Sequence, residues 1–186
     1  MNENILKLPS VAILVDCWDM SKIAQGNYNE AFEVVYANII DFIDNTPEIT
    51  IIILASFDAD DLGLDYNNVW YETARKILPR SNKTSKKILD YVNKDKLQVA
   101  TTSFDDFTGL LNKHPEIENI YFMGATWHDC IQNRPIGIRK CSNVGKNILI
   151  NTDCVWHSVD SAGLDLTYNN QYSKITDNIY QLVKQE

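Results

Sequence analysis

The stretch VAILVD, residues 11–16, decides the fold of this chain. Its unbroken apolar run is typical of a central strand covered on both faces, and it ends directly in a carboxylate. Comparable runs occur at 49–54 (ITIIIL) and 119–123 (NIYFM), with weaker ones at 97–101 and 147–150. Together these runs predict five strands.

Amphipathic stretches separate the predicted strands. Apolar residues at helical spacing predict helices over 30–43, 67–78, 84–92 and 104–111. Ile175, Ile179 and Leu182 fall on one face of a further helix, which we predict over 172–183. Strands that alternate with helices imply right-handed crossovers, and hence an α/β domain with a mostly parallel sheet.

Length and charge narrow the possible functions. The chain has 186 residues, which we interpret as one domain over 1–186. It carries 25 acidic and 17 basic side chains, and a net charge of −8 argues against binding nucleic acid or an anionic membrane. Four scattered cysteines and no apolar run of membrane-spanning length predict a cytoplasmic protein with reduced thiols.

Asp16 is the first candidate functional residue. Ligands of open α/β sheets bind outside the carboxyl ends of the strands, and Asp16 follows the first strand. Partial burial at that rim is expected to raise the pKa of its carboxyl group and to suit it to proton transfer. An equally weighted alternative is a turn residue that bonds nearby backbone amides.

Cys130 is the second candidate, in the segment GATWHDC that follows the fourth strand. Gly124 permits a tight exit from that strand, and a cysteine on the first turn of a helix gains thiolate character. The backbone amides of the same turn can bind an oxyanion. The alternative is a buried, inert cysteine.

These two segments resemble the isochorismatase-like cysteine hydrolases, which include nicotinamidases and N-carbamoyl amide hydrolases. VAILVDCWD matches the family's opening strand and catalytic Asp at Asp16, and IYFMGATWHDC matches its Gly and nucleophilic Cys at Gly124 and Cys130. SFDDF, with Phe104, approximates its Ser-x-Phe helix. The resemblance spans about residues 11–153 and implies a three-layer Rossmann-like fold.

The resemblance also implies a mechanism and a pocket. Cys130 would attack a small planar amide-like substrate, Asp16 would shuttle the proton, and backbone amides would hold the oxyanion. It implies no cofactor, a small molecule as substrate, and self-association into a homo-oligomer. The residues expected at the oxyanion site and pocket are Thr126, Trp127, His128, Asp129, Trp18, Phe57 and Phe104.

The sequence departs from the family pattern in three places. No lysine follows the third strand near 100–102, where the family has its third catalytic residue, and Lys96 would need a shifted register. Pro135 interrupts any helix that begins at Cys130. Trp127 and His128 are bulky for their positions. A degenerate member that binds a small molecule or a protein without turnover is therefore the alternative to a hydrolase.

A metal site is the weaker hypothesis. Nicotinamidases carry Asp-x-His after the second strand, but this chain has Asp58 and Asp60 there without a histidine. Oxygen ligands alone suit Mg²⁺ or Ca²⁺, although an acidic loop is more often simply solvated. A nuclease-like reading, with Asp16, Asp19 and Asp58 around Mg²⁺, is opposed by the acidic charge.

Overall fold

The computed structural model describes residues 3–17, 27–55, 85–91, 96–125, 127–156 and 171–183. All its described strands form one sheet, in the order β3-β2-β1-β4-β5-β7-β6. The five parallel strands are β1 (Ser10–Val15), β2 (Ile49–Ala55), β3 (Leu97–Ala100), β4 (Asn119–Gly124) and β5 (Asn147–Val155). β6 (Tyr172–Lys174) and β7 (Ile179–Leu182) add an antiparallel edge.

Helices cover both faces of the sheet. They are α1 (Asn27–Asp44), α2 (Lys86–Asp90), α3 (Phe104–Lys113) and α4 (Ile138–Cys141), with a 3₁₀ turn at Glu3–Lys7 and a π-helical turn at Trp127–Ile131. Alternate side chains of β1 enter opposite core layers. Ile13 packs in the layer that includes Phe107 and Ile138, and Leu14 in the layer that includes Ile39 and Ile88.

The predicted fold class is confirmed, because the molecule has three layers around a mostly parallel sheet. The five strands predicted from apolar runs are all present. The predicted helix over 67–78 lies outside the described residues. No helix in the described part of the chain is long and apolar enough to cross a membrane.

The predicted helix over 172–183 is wrong, since this segment forms the hairpin β6–β7. Ile175 and Ile179 are buried on either side of a turn through Thr176, Asp177 and Asn178. The Thr176 hydroxyl accepts a hydrogen bond from the Ile179 amide, which closes the turn. Helical spacing of the apolar residues was misleading here, because the turn residues between them carry the stronger signal.

Candidate active site

The order of the strands places a crevice beside β1. β1 pairs with β2 on one side and with β4 on the other, and the chain continues outward from each of them, to β3 and to β5. Such a switch point is where open α/β sheets bind ligands at the carboxyl ends of the strands. Asp16 leaves β1 at this point, and Gly124 ends β4 beside it.

Asp16 is fully buried and has an uncommon backbone conformation. Its φ of 48° lies in the left-handed region, which few residues other than glycine adopt. Its amide still donates a hydrogen bond to the Ala55 carbonyl, at 3.2 Å, so the residue remains tied to the end of β2. A buried carboxylate in this conformation needs a polar partner.

Gly124 allows β4 to leave the sheet close against β1. Its φ is +109°, and a Cβ at this position would lie 2.1 Å from the Val15 carbonyl oxygen. The Ala125 amide donates to that same oxygen at 3.0 Å. The end of β5 is tied in as well, since Trp156 donates to Gly124 and Trp127 donates to Trp156. Only glycine fits this crossing.

Arg134 supplies the partner of Asp16. Its Nη2 and Nε lie 2.6 Å and 2.8 Å from Oδ2 of the carboxylate, and both side chains are buried. The same Nη2 lies 3.6 Å from Sγ of Cys130, to which it donates. The guanidinium favours the ionised carboxylate and so opposes the effect of burial that the sequence predicted for Asp16.

Cys130 lies within a helical turn and not at its beginning. The π-helical turn starts at Trp127, residues 132–133 continue it, and the helix ends before Pro135. The predicted start of the helix near Cys130 is therefore wrong, because the helical turn already begins at Trp127. It ends before Pro135, which has no amide hydrogen with which to continue it. The Arg134 amide donates to the Cys130 carbonyl at 3.1 Å, which places the two side chains one turn apart.

Neither Lys96 nor Lys87 supplies the cation that the family resemblance leads one to expect. The Lys96 ammonium donates to the carbonyls of Thr46 and Ile49, at the amino end of β2, far along the sheet from Asp16. Lys87 pairs with Glu33 on α1. Sequence reasoning missed Arg134, because it follows no predicted strand. Its position four residues after Cys130 was the available signal, since side chains at that spacing share one face of a helix.

The other three cysteines have different surroundings. Burial raises the pKa of Cys17 and Cys154 far above the ordinary thiol value, and raises that of Cys141 to about 12. They are neutral core thiols. Cys130 is nearly as buried, at 6% exposure, but it contacts a guanidinium.

The remaining predicted site residues divide into three groups. Trp127 is buried, with its ring edge-on to Tyr172 at 5.8 Å, and Phe104 lies under the Lys140 ammonium and lines a cavity beside α3. For His128 and Asp129 only the backbone is described. Trp18, Phe57, Asp58, Asp60 and Thr126 lie outside the described residues. Within the described ranges, no cluster of three or more His, Cys, Asp or Glu residues could hold a metal.

Comparison with protein-family models and with curated proteins finds no match to this sequence. Solved structures are similar at 14% identity. An isochorismatase family protein from Burkholderia thailandensis has a TM-score of 0.48, over 82% of this chain and 80% of that one. A nicotinamidase/pyrazinamidase from Bacillus subtilis has a TM-score of 0.47, over 80% and 87%.

A cysteine hydrolase from Pseudomonas syringae pv. phaseolicola has a TM-score of 0.51, over 83% of this chain and 74% of that one, also at 14% identity. This protein shares its fold with that cysteine hydrolase. The resemblance seen in the sequence is thus confirmed for the fold. A fold does not define a reaction, which depends on the site formed by Asp16, Cys130 and Arg134.

Proposed function

We propose that this protein is a hydrolase of the isochorismatase-like family that cleaves the C–N bond of a small, planar, amide-like substrate. Cys130 is the nucleophile and Asp16 is the general acid and base. One observation carries the proposal. Oδ2 of Asp16 and Sγ of Cys130 lie 2.6 Å and 3.6 Å from the same guanidinium nitrogen, at the switch point of the sheet.

The proposed reaction has two halves. Asp16 takes the thiol proton while Sγ of Cys130 forms a bond to the carbonyl carbon, and the C=O electron pair moves to the oxygen. The C–N bond then breaks as Asp16 returns the proton to nitrogen, which leaves a thioester and an amine. Water attacks the thioester, Asp16 accepts a proton from the water, and C–S cleavage returns that proton to the thiol.

Further parts of the proposal come from the resemblance. Backbone amides near residues 126–130, other than the Trp127 amide that donates to Trp156, hold the oxyanion, and Trp127 forms a wall of the pocket. The partners are a small-molecule substrate and further copies of the chain, without nucleic acid or membrane. The location is the cytoplasm, and the whole chain, 1–186, is one domain.

A binding protein without turnover is the second candidate, and one feature of the site favours it. Both Nε and Nη2 of Arg134 donate to the same oxygen of Asp16, so the proposed base already accepts two charge-assisted hydrogen bonds. A carboxylate held in this way is a weaker base. Cys130 is also only 6% exposed.

A panel of small planar amides separates the two candidates. Release of amine and acid is measured for the wild type, for Cys130→Ser and for Asp16→Asn. A hydrolase loses on the order of 10³-fold or more with Cys130→Ser, and on the order of 10²–10⁴-fold with Asp16→Asn. Cys141→Ser is the matched control, since Cys141 is a buried thiol without a guanidinium contact described. Turnover that survives Cys130→Ser contradicts the proposal, and saturable binding without turnover favours the second candidate.

A further inference from the structure

Arg134 lies in the site, although the resemblance gives it no role there. It directly follows the helical turn after β4 and does not come from the segment after β3, where the resemblance places a lysine. Its guanidinium contacts both groups between which the proposed reaction moves a proton. All three side chains are buried, so water screens these contacts weakly.

We propose that Arg134 is the catalytic cation of this site, and that its single guanidinium stabilises whichever of Asp16 and Cys130 carries the negative charge. The inference rests on the proposed function. With the proton on Cys130 the charge is on Asp16, which Nε and Nη2 contact. With the proton on Asp16 the charge is on Sγ, which Nη2 contacts.

Nη2 of Arg134 contacts both Asp16 and Cys130, so it can stabilise a negative charge on either residue. Transfer of the proton moves negative charge from one side of Nη2 to the other, and the positive charge stays paired in both states. A buried thiol next to an isolated carboxylate would have to create an unpaired buried charge, which is strongly unfavourable. The two groups therefore titrate as one coupled unit with the guanidinium.

Arginine suits this task better than lysine does. A guanidinium presents several donors in a rigid plane and stays protonated, so it can contact two acceptors at once. The lysine ammonium is a point charge, which can approach only one of the two acceptors closely. Arg134→Lys therefore keeps the charge but loses part of the bridge, whereas Arg134→Gln loses the charge.

The test is a pH titration of the Cys130 thiolate, followed by its ultraviolet absorbance as the difference between each protein and its Cys130→Ser form. This readout needs neither a substrate nor entry of a reagent into the site. Wild type is expected to form thiolate at least one pH unit below an ordinary thiol. Arg134→Gln is expected to move the titration up by two or more units, and Arg134→Lys by less.

Two controls make the result specific. Arg139→Gln removes an exposed arginine of α4 and is expected to leave the titration unchanged. The double variant Asp16→Asn, Arg134→Gln removes both charges together, so it keeps the test usable if Arg134→Gln alone does not fold. The double variant is expected to titrate like an ordinary buried thiol.

The outcomes separate this inference from the proposed function. If the wild-type thiolate forms at low pH and Arg134→Gln does not change that pH, the role of Arg134 is overturned. Hydrolysis of amides by the wild type would still support the hydrolase. An ordinary or raised titration in the wild type also overturns the role of Arg134. A low wild-type titration that Arg134→Gln moves upward supports the role of Arg134 even if no amide in the panel is hydrolysed, and the absence of hydrolysis would then count against the hydrolase alone.

Discussion

Buried polar groups occur at both ends of the sheet, but their chemistry differs. At the amino end, the Asn119 amide donates to the carbonyls of Ile5 and Leu8 and to the Ser10 hydroxyl, and its oxygen accepts from Asn147. At the carboxyl end, Asp16 and Arg134 form an ion pair against the Cys130 thiol.

The difference separates anchoring from chemistry. The side-chain nitrogen of Asn119 satisfies the carbonyls of Ile5 and Leu8 and so fastens the amino-terminal segment to β4, while its oxygen accepts from Asn147. None of these contacts requires a charge. An ion pair is a costly way to satisfy buried groups, because both ions lose their hydration. Its presence beside a thiol at the switch point is therefore explained better by a reaction or a ligand than by stability.

The largest expected effect comes from breaking the ion pair. Arg134→Met leaves Asp16 as an uncompensated buried carboxylate and is expected to lower the free energy of unfolding by about 3–5 kcal/mol. Lys96→Met at the amino end is the matched control. Its ammonium donates to two carbonyls, so its loss is expected to cost about 1–3 kcal/mol.

Urea denaturation of both variants gives the comparison. Equal losses for Arg134→Met and Lys96→Met would contradict the view that the two ends differ, since they would show that breaking the carboxyl-end ion pair costs no more than removing the Lys96 ammonium. The pH of the measurement stays near neutral, where both cations are charged.

A second contrast uses a glycine from each end. Gly124→Ala is expected to cost at least about 3 kcal/mol, because the new Cβ would meet the Val15 carbonyl oxygen as well as strain the backbone. Gly145 also has a positive φ, of 80°, but has open space around its Cα. Gly145→Ala is therefore expected to cost about 1–2 kcal/mol, from backbone strain alone.

Thermal and urea unfolding of these two variants measure the contribution of the close crossing between β1 and β4. If both alanines cost the same, conformational strain explains Gly124 fully and the close approach to Val15 contributes nothing. If a folded Gly124→Ala protein titrates its Cys130 thiol at the same pH as the wild type, the crossing matters for stability only.

The sequence predicted the central part of this fold well and its edge poorly. The apolar runs ending at Asp16 and Gly124 belong to buried parallel strands, which leave little choice of structure. Segment 172–183 lies at the sheet edge, where half-exposed residues give a weak pattern, so spacing alone misled.

The candidate site was predictable in the same uneven way. Asp16 and Cys130 could be identified from the sequence because each lies in a segment that follows a predicted strand, and no knowledge of contacts was needed. Arg134 could not be found by that argument, because it follows no strand and becomes part of the site only through the helical turn over 127–133 that precedes it. A contact between residues far apart in sequence requires the fold itself.

Asn119, which fastens the amino-terminal segment to the amino end of β4, gives a smaller expected effect. Asn119→Ala removes donors to Ile5, Leu8 and Ser10, and is expected to lower the free energy of unfolding by about 1–3 kcal/mol. The Cys130 titration is expected to remain as in the wild type, because the substitution lies at the opposite end of β4. A change in that titration would mean that the two ends of the sheet are coupled and do not have separate roles.

The smallest expected effect concerns alkaline pH and the core thiols. Burial raises the pKa of Cys141 from 9.0 to about 12, so the folded state holds this proton more tightly than the unfolded state does. The resulting stability is complete below about pH 9 and is lost as the pH rises toward the folded value. Between about pH 9 and 11, Cys141→Ala is expected to make the fall in the free energy of unfolding shallower by about 1 kcal/mol per pH unit. Urea denaturation at several pH values checks this, and identical slopes in both proteins would show that Cys141 titrates normally in the folded state, unlike a core thiol.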